Sequence, residues 1–262
     1  MNDRSQVVVH RDTAEMARAT AARLLTLLAE AQTARGTASA VLTGGRNGNA
    51  VLAALAGSAA RDTVDWSRVD LWWGDERFLP DGDPERNHTQ AREALLDALP
   101  LDPARVHAMP PSDGPHGDDP DAAAETYAGE LAEAAGAAAA GAEAVPAFDV
   151  LLLGVGPDTH VASLFPGFPA VHETGASVVA VRDAPKPPPT RITLTPPAIR
   201  AAREVWLLAA GEDKAQAAAL SVAGADPAVA PAAGARGTER TLWLLDEAAA
   251  GQLPEPVRDA LS

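Results

Sequence analysis

Short apolar runs alternate with longer stretches of mixed polarity along this chain. Gln6–Val9, Ala38–Leu42, Val69–Trp73, Phe148–Val155, Ser177–Val181, Arg191–Leu194, Glu204–Ala210 and Thr241–Leu245 read as strands. Between them lie helical patterns. Asp12 with Glu15 three residues on marks a capped start for a helix reaching about Arg35, with Leu24, Leu25, Leu27 and Leu28 on its apolar side. Further helices are predicted from about Asn47 to Ala60, over Asn87–Ala98, in the Ala-rich run 122–147, over Lys214–Ala223 and briefly after the last strand. Phe78–Arg86 and the Pro-rich Pro110–Pro120 read as loops. Strands separated by helices of this length imply βαβ units. The expected class is α/β, a Rossmann-like mostly parallel sheet with helices on both faces. No internal repeat appears, and the Pro-rich stretch Asp183–Pro189 is too short for a linker. Residues 1–262 therefore read as one domain.

Composition narrows the class. Of 262 residues 47% are apolar, but 60 of these are Ala, so the core relies on close packing of small residues. Acids outnumber bases 36 to 21, for a net charge of −15. Such a surface repels duplex nucleic acid and anionic membranes, so neither is an expected partner. The absence of Cys excludes disulfides, thiol nucleophiles and Cys-held metals. The first residues run Met-Asn-Asp-Arg-Ser straight into Val7-Val8-Val9, without the pattern of a signal peptide, and no apolar run reaches membrane length. A cytoplasmic protein is expected. Only two of the bases are Lys, Lys186 and Lys214.

In sheets of this kind ligands bind at the carboxyl ends of the strands. Several predicted strands end there in polar clusters. Thr43-Gly44-Gly45-Arg46-Asn47-Gly48 precedes a helix, where bare backbone N–H groups and the helix dipole suit a phosphate, or where a plain strand–helix turn suffices. It lacks the spacing and Lys of a Walker loop. Gly74-Asp75-Glu76-Arg77 follows the next strand. Its three charges read as exposed, with Arg77 available to a phosphate or an oxyanion, or tied up in a local ion pair. Gly154-Val155-Gly156-Pro157-Asp158-Thr159-His160 ends the most apolar strand. A dinucleotide fingerprint is set aside, since Thr159 stands where its third Gly belongs. If His160 opens a short helix, the dipole keeps it a neutral base, with Asp158 orienting it or holding a substrate hydroxyl; otherwise it is a capping His. Lys214 sits at a helix start, where a cation is unfavourable unless an anion is near. Arg191 opens the Arg-Ile-Thr-Leu-Thr strand and alternatively lies on the surface.

Together Leu42–Gly45, Trp73–Arg77, Leu152–Gly167, Pro185–Thr195 and Gly211–Lys214 resemble the 6-phosphogluconolactonase family, in order and spacing along nearly the whole chain. Asn87 fits the pattern as well. The resemblance implies hydrolysis of 6-phospho-D-glucono-1,5-lactone, with His160 as general base, Arg77 as an active-site Arg and Asp158 beside the His. It implies a phosphate site of Gly44, Gly45 and Lys214, and the strand-end clusters add Arg46, Asp75 and Arg191 as candidate substrate contacts. It also implies no cofactor, no metal and a small sugar phosphate as partner, and a monomer or weak homo-oligomer is the expected form. The rivals are a sugar-phosphate isomerase or deaminase of the same superfamily and a sugar-phosphate-sensing binding domain. Two positions depart from the family pattern. Thr159 replaces a usual Gly, which strains the chain if φ is positive there. Arg46 and Asn47 follow the glycines where smaller residues are usual. Arg46 then adds a charge to the phosphate site or points to solvent.

Overall fold

The computed structural model describes residues 5–136, 141–255 and 257. Six strands form a wholly parallel sheet in the order β1-β9-β8-β5-β2-β3. They are β1 (Ser5–His10), β2 (Ala38–Leu42), β3 (Val69–Trp73), β5 (Val150–Gly154), β8 (Glu204–Ala209) and β9 (Arg240–Asp246). Three short strands, β4 (Asp75–Arg77), β6 (Val178–Val181) and β7 (Arg191–Leu194), make a separate antiparallel sheet in the order β4-β7-β6.

The uninterrupted apolar run of β5 follows from burial on both faces. Val150 and Leu152 join Leu42, Trp73 and Trp206 in one core layer, while Leu151 and Leu153 join Val41, Trp72 and Leu207 in the other. The first layer lies under α1 (Thr13–Arg35), α2 (Gly45–Ala56) and α3 (Asn87–Ala94). Over the second lie α4 (Pro120–Ala135), the small sheet, α5 (Pro196–Arg200), α6 (Ala215–Val222), α7 (Pro231–Gly234) and α8 (Glu247–Ala250). Helix α1 starts where the sequence places it. The Asp12 carboxylate accepts from Glu15 N–H at 2.7 Å, and the Glu15 carboxylate accepts from Arg11 N–H at 3.1 Å. It ends on Gly36, whose φ of 82° only glycine adopts freely.

The structure differs from the sequence expectation in several places. Helix α2 begins two residues earlier, at Gly45, and stops at Ala56. Helix α3 stops at Ala94 because Leu95 leaves helical geometry, and Leu96–Ala98 is a separate 3₁₀ turn. The Ala-rich run is not one helix. Helix α4 starts at Pro120, capped by Asp119, and ends at Gly136 with φ 86°; residues 137–140 lie outside the described residues, and Gly141–Glu143 form a 3₁₀ turn. The largest correction concerns Asp75-Glu76-Arg77. The expected exposed cluster is a strand of the second sheet, with Asp75 and Glu76 buried. Among the described residues no helix is long and apolar enough to cross a membrane.

From β2 the chain moves outward to β3, and from β5 it moves the other way to β8. Adjacent strands β2 and β5 therefore flank the switch point of the sheet, and a crevice opens beyond their carboxyl ends.

Candidate functional site

A cleft of about 340 Å³ occupies that crevice. The loops after β2, β5 and β8 form its floor and one wall, and β4, β7 and the Pro-rich loop before β7 close the other. Every residue picked out from the sequence lines it except Asp158, which stands behind His160.

The first wall is the start of α2. Gly44 caps the helix with no side-chain bond of its own, and Gly44, Gly45, Arg46 and Asn47 all line the cleft. Free N–H groups in the first turn of a helix bind anions. Gly44 has no room for a side chain: a Cβ there would sit 1.8 Å from Asn87 Oδ1. Arg46 donates to the Ala210 carbonyl at 2.7 Å, and Asp213 Oδ1 lies 3.3 Å from the same nitrogen. Lys214 Nζ lies 3.5 Å from the other Asp213 oxygen. Burial pushes the Lys214 ammonium below its ordinary pKa. Lys186 and Arg46 push the same way, and Asp213 opposes them.

The second wall rests on a buried carboxylate. Glu76 is fully buried and accepts from the backbone N–H groups of Arg77, Asn87 and His88 at 2.8, 2.6 and 2.9 Å. Arg86, equally buried, brings its guanidinium to 3.8 Å. Burial nevertheless pushes the Glu76 carboxyl above its usual pKa, against the Arg86 charge and the three N–H bonds. Glu76 thus holds the first turn of α3 and sets Asn87. Asn87 Oδ1 accepts from Arg77 Nη1 at 2.8 Å, and its Nδ2 donates to the Asp75 carbonyl at 2.8 Å. The Asp75 carboxylate accepts from the Ser163 hydroxyl at 2.6 Å. Arg77 Nη1 also bonds the Glu85 carbonyl, while its buried Nε has no hydrogen-bond partner.

His160 faces this wall from the loop after β5. It does not open a helix. The loop is a tight turn closed by Gly156 N–H to His160 O at 2.8 Å and by Thr159 N–H to Gly156 O at 3.0 Å. The helix dipole therefore does not act on the ring, and a carboxylate does. His160 Nδ1 lies 2.5 Å from Asp158 Oδ1. Burial raises the Asp158 pKa, but the hydrogen bonds and charges of His160 and Lys186 outweigh it and hold the group well below the usual carboxylate range. Gly156 makes this geometry possible, since a Cβ there would lie 1.9 Å from His160 Nδ1. Thr159 has φ 71°, so the strain anticipated for a β-branched residue is present.

Arg191 is buried, not a surface residue, and its reach into the cleft is limited. Its Nε and Nη2 donate to the carbonyls of Pro188, Lys186 and Pro187, and its guanidinium lies over the Phe165 ring at 5.7 Å. It grips the Pro-rich loop and so delivers Lys186, whose Nζ lies 3.1 Å from Asp158 and 3.2 Å from His160 Nδ1. From the sequence Lys186 is merely one of the chain's two Lys, lying shortly before Arg191. Asp213 lines the cleft, and Ser163 and Glu76 bond residues that line it; each lies inside a stretch singled out from the sequence, but none is assigned a role there. Among the described residues no group of three or more His, Asp or Glu is gathered as a metal cage.

Residues 11–243 match the family model described as glucosamine-6-phosphate isomerases/6-phosphogluconolactonase. A 6-phosphogluconolactonase of Streptomyces coelicolor is 68% identical over 254 residues, covering 97% of each chain. That of Mycobacterium tuberculosis is 51% identical over 250 residues, covering 95% of this chain and 99% of the relative. The solved structure of 6-phosphogluconolactonase from Trypanosoma brucei superposes with a TM-score of 0.81 at 29% identity, covering 95% of this chain and 99% of that one.

Proposed function

The chain belongs to the glucosamine-6-phosphate isomerase/6-phosphogluconolactonase family, and from that premise we propose that its cleft hydrolyses 6-phospho-D-glucono-1,5-lactone to 6-phospho-D-gluconate. The observation that carries this reading is one cleft holding a carboxylate-oriented His160 together with the N-terminus of α2 and Lys214. The first is a base for a carbonyl reaction. The second is an anion seat.

The 6-phosphate lies against the N–H groups of Gly44 and Gly45, with Lys214 and Arg46 supplying charge. Fixing that end places the lactone ring against His160, which replaces much of the entropic barrier to attack. Asp158 accepts the Nδ1 proton of His160 and leaves Nε2, which has no protein partner among the described residues, to take a proton from water. The water oxygen bonds to C1, and the carbonyl electrons move to its oxygen. Arg77, which lines the cleft, is the side-chain donor that meets this oxyanion. Collapse expels the ring oxygen, which takes the proton back from His160. Asp75 serves the site through Asn87 and Ser163, and Arg191 serves it through the Lys186 loop. The proposal includes residence in the cytoplasm and a monomer or weak homo-oligomer as the working form.

A coupled assay tests the reading. The lactone is generated in situ and its loss timed against spontaneous hydrolysis. Micromolar protein accelerates the loss, and it releases no ammonia from glucosamine 6-phosphate. Equal rates with and without protein overturn the reading. His160→Ala lowers kcat by about 10²–10⁴-fold, and full turnover in that variant removes His160 from the role of base.

A further inference from the structure

We propose that Asp213 is a resident anion of the phosphate seat: its carboxylate joins Arg46 to Lys214, and a phosphate binds by taking its place. This rests on the phosphate seat of the proposed lactonase and adds how that seat selects its ligand.

The two partners come from different elements of the same wall. Arg46 belongs to the first turn of α2, and Asp213 and Lys214 follow β8. Each carboxylate oxygen meets one cation, Oδ1 at 3.3 Å from Arg46 Nη2 and Oδ2 at 3.5 Å from Lys214 Nζ. This is the pairing that two phosphate oxygens would make with the same groups. Residue 211 must be glycine for the arrangement to fit. A Cβ there would lie 2.6 Å from Asp213 Oδ1 and 3.1 Å from Arg46 Nη2, and its φ is +100°. The carboxylates nearby are engaged elsewhere, Asp158 behind the cleft with His160 and Lys186, and Asp75 with Asn87 and Ser163.

Without a ligand, Arg46 and Lys186 each repel Lys214, and Asp213 offsets that repulsion. Arg46 and Asp213 are both more than half exposed, so their ion pair is weak and exchangeable. A monoanion that displaces Asp213 trades one negative charge for another and gains little. A phosphate dianion brings twice the charge and also reaches the N–H groups of α2, to which Asp213 is not bonded. Asp213 therefore acts as a threshold that dianionic phosphate esters cross and monoanionic acids do not.

The test is a double-mutant cycle read by calorimetric binding of inorganic phosphate at pH 8 to the full chain, with thermal midpoints confirming that each variant is folded. Asp213→Asn keeps the shape and removes the charge, and it tightens phosphate binding by about 3–10-fold. Arg46→Gln in the parent protein changes affinity by less than about twofold, because Arg46 exchanges one anion for another. In the Asp213→Asn background the same change weakens binding by about fivefold or more. Equal effects of Arg46→Gln in both backgrounds overturn the proposal, as does unchanged affinity in Asp213→Asn. Failure here leaves lactone turnover in the coupled assay intact. Failure of that assay leaves this cycle still readable.

Discussion

Residues 158 and 159 show how much local cost the site carries. Thr159 sits at φ 71°, which for a β-branched residue costs on the order of 1–3 kcal/mol. Part of that is returned by its hydroxyl, which donates to the Val229 carbonyl at 3.2 Å, a bond worth about 1 kcal/mol. Thr159→Gly removes both the strain and the bond and adds unfolded-state entropy. Its stability should therefore stay within about 1 kcal/mol of the parent. Thr159→Val keeps the strain and loses the bond, and it should fall by about 1–2 kcal/mol in urea denaturation. Asp158 carries a pH signature. Its pKa in the folded protein lies below the unfolded value of 3.8, so its charge stabilises the fold above that pH and the contribution fades as pH falls through the folded value. Asp158→Asn should be less stable than the parent at pH 7, and the gap should narrow below pH 3.8. A gap that stays constant from pH 7 to pH 3 would contradict the ion pairing with His160 and Lys186.

Among the elements, α3 depends on a residue outside it. Its N-cap, Arg86, makes no side-chain cap bond, and the Glu76 carboxylate from β4 bonds the first N–H groups instead. Glu76→Ala leaves three N–H groups without their acceptor and the buried Arg86 guanidinium, still bonded to the Leu79 and Met109 carbonyls, without its counter-charge. The expected loss is about 3–5 kcal/mol in urea denaturation, with kcat/KM falling as Asn87 and Arg77 lose their register. This element also marks where sequence reasoning stops. The parallel strands were legible because burial on both faces writes an unbroken apolar run, as in Val150-Leu151-Leu152-Leu153. The start of α1 was legible because its cap is local. Strand β4 was not, since Asp-Glu-Arg after a strand reads as a solvated turn. Pairing with β7, the distant N–H groups of α3 and the Arg86 guanidinium together make a buried Glu76 tolerable. The glycine loop, His160 and Lys214 were legible as clusters at strand ends. The place of Lys186 was not, because it depends on the grip of Arg191 on three carbonyls, a tertiary event with no local pattern.

For the molecule as a whole, a net charge of −15 faces a substrate that is itself a dianion. The cleft answers with Arg46, Arg77, Lys186, Arg191 and Lys214 gathered at one edge of the sheet. These two electrostatic effects differ in range. The attraction acts within a few ångströms between partly buried groups, where salt screens weakly. The repulsion is the sum over the acidic surface, mostly farther than the Debye length of about 10 Å at 0.1 M salt. Raising sodium chloride from about 10 mM to 100 mM should therefore remove more repulsion than attraction. The expected outcome is that kcat/KM for the phosphorylated lactone holds or rises across this range, opposite to a uniformly basic enzyme acting on an anion. The decline should set in only at several hundred millimolar, where the cleft pairs themselves are screened. A steep fall below 100 mM would mean that the field reaching the approaching substrate is positive, and that the cationic edge, not the acidic surface, governs encounter.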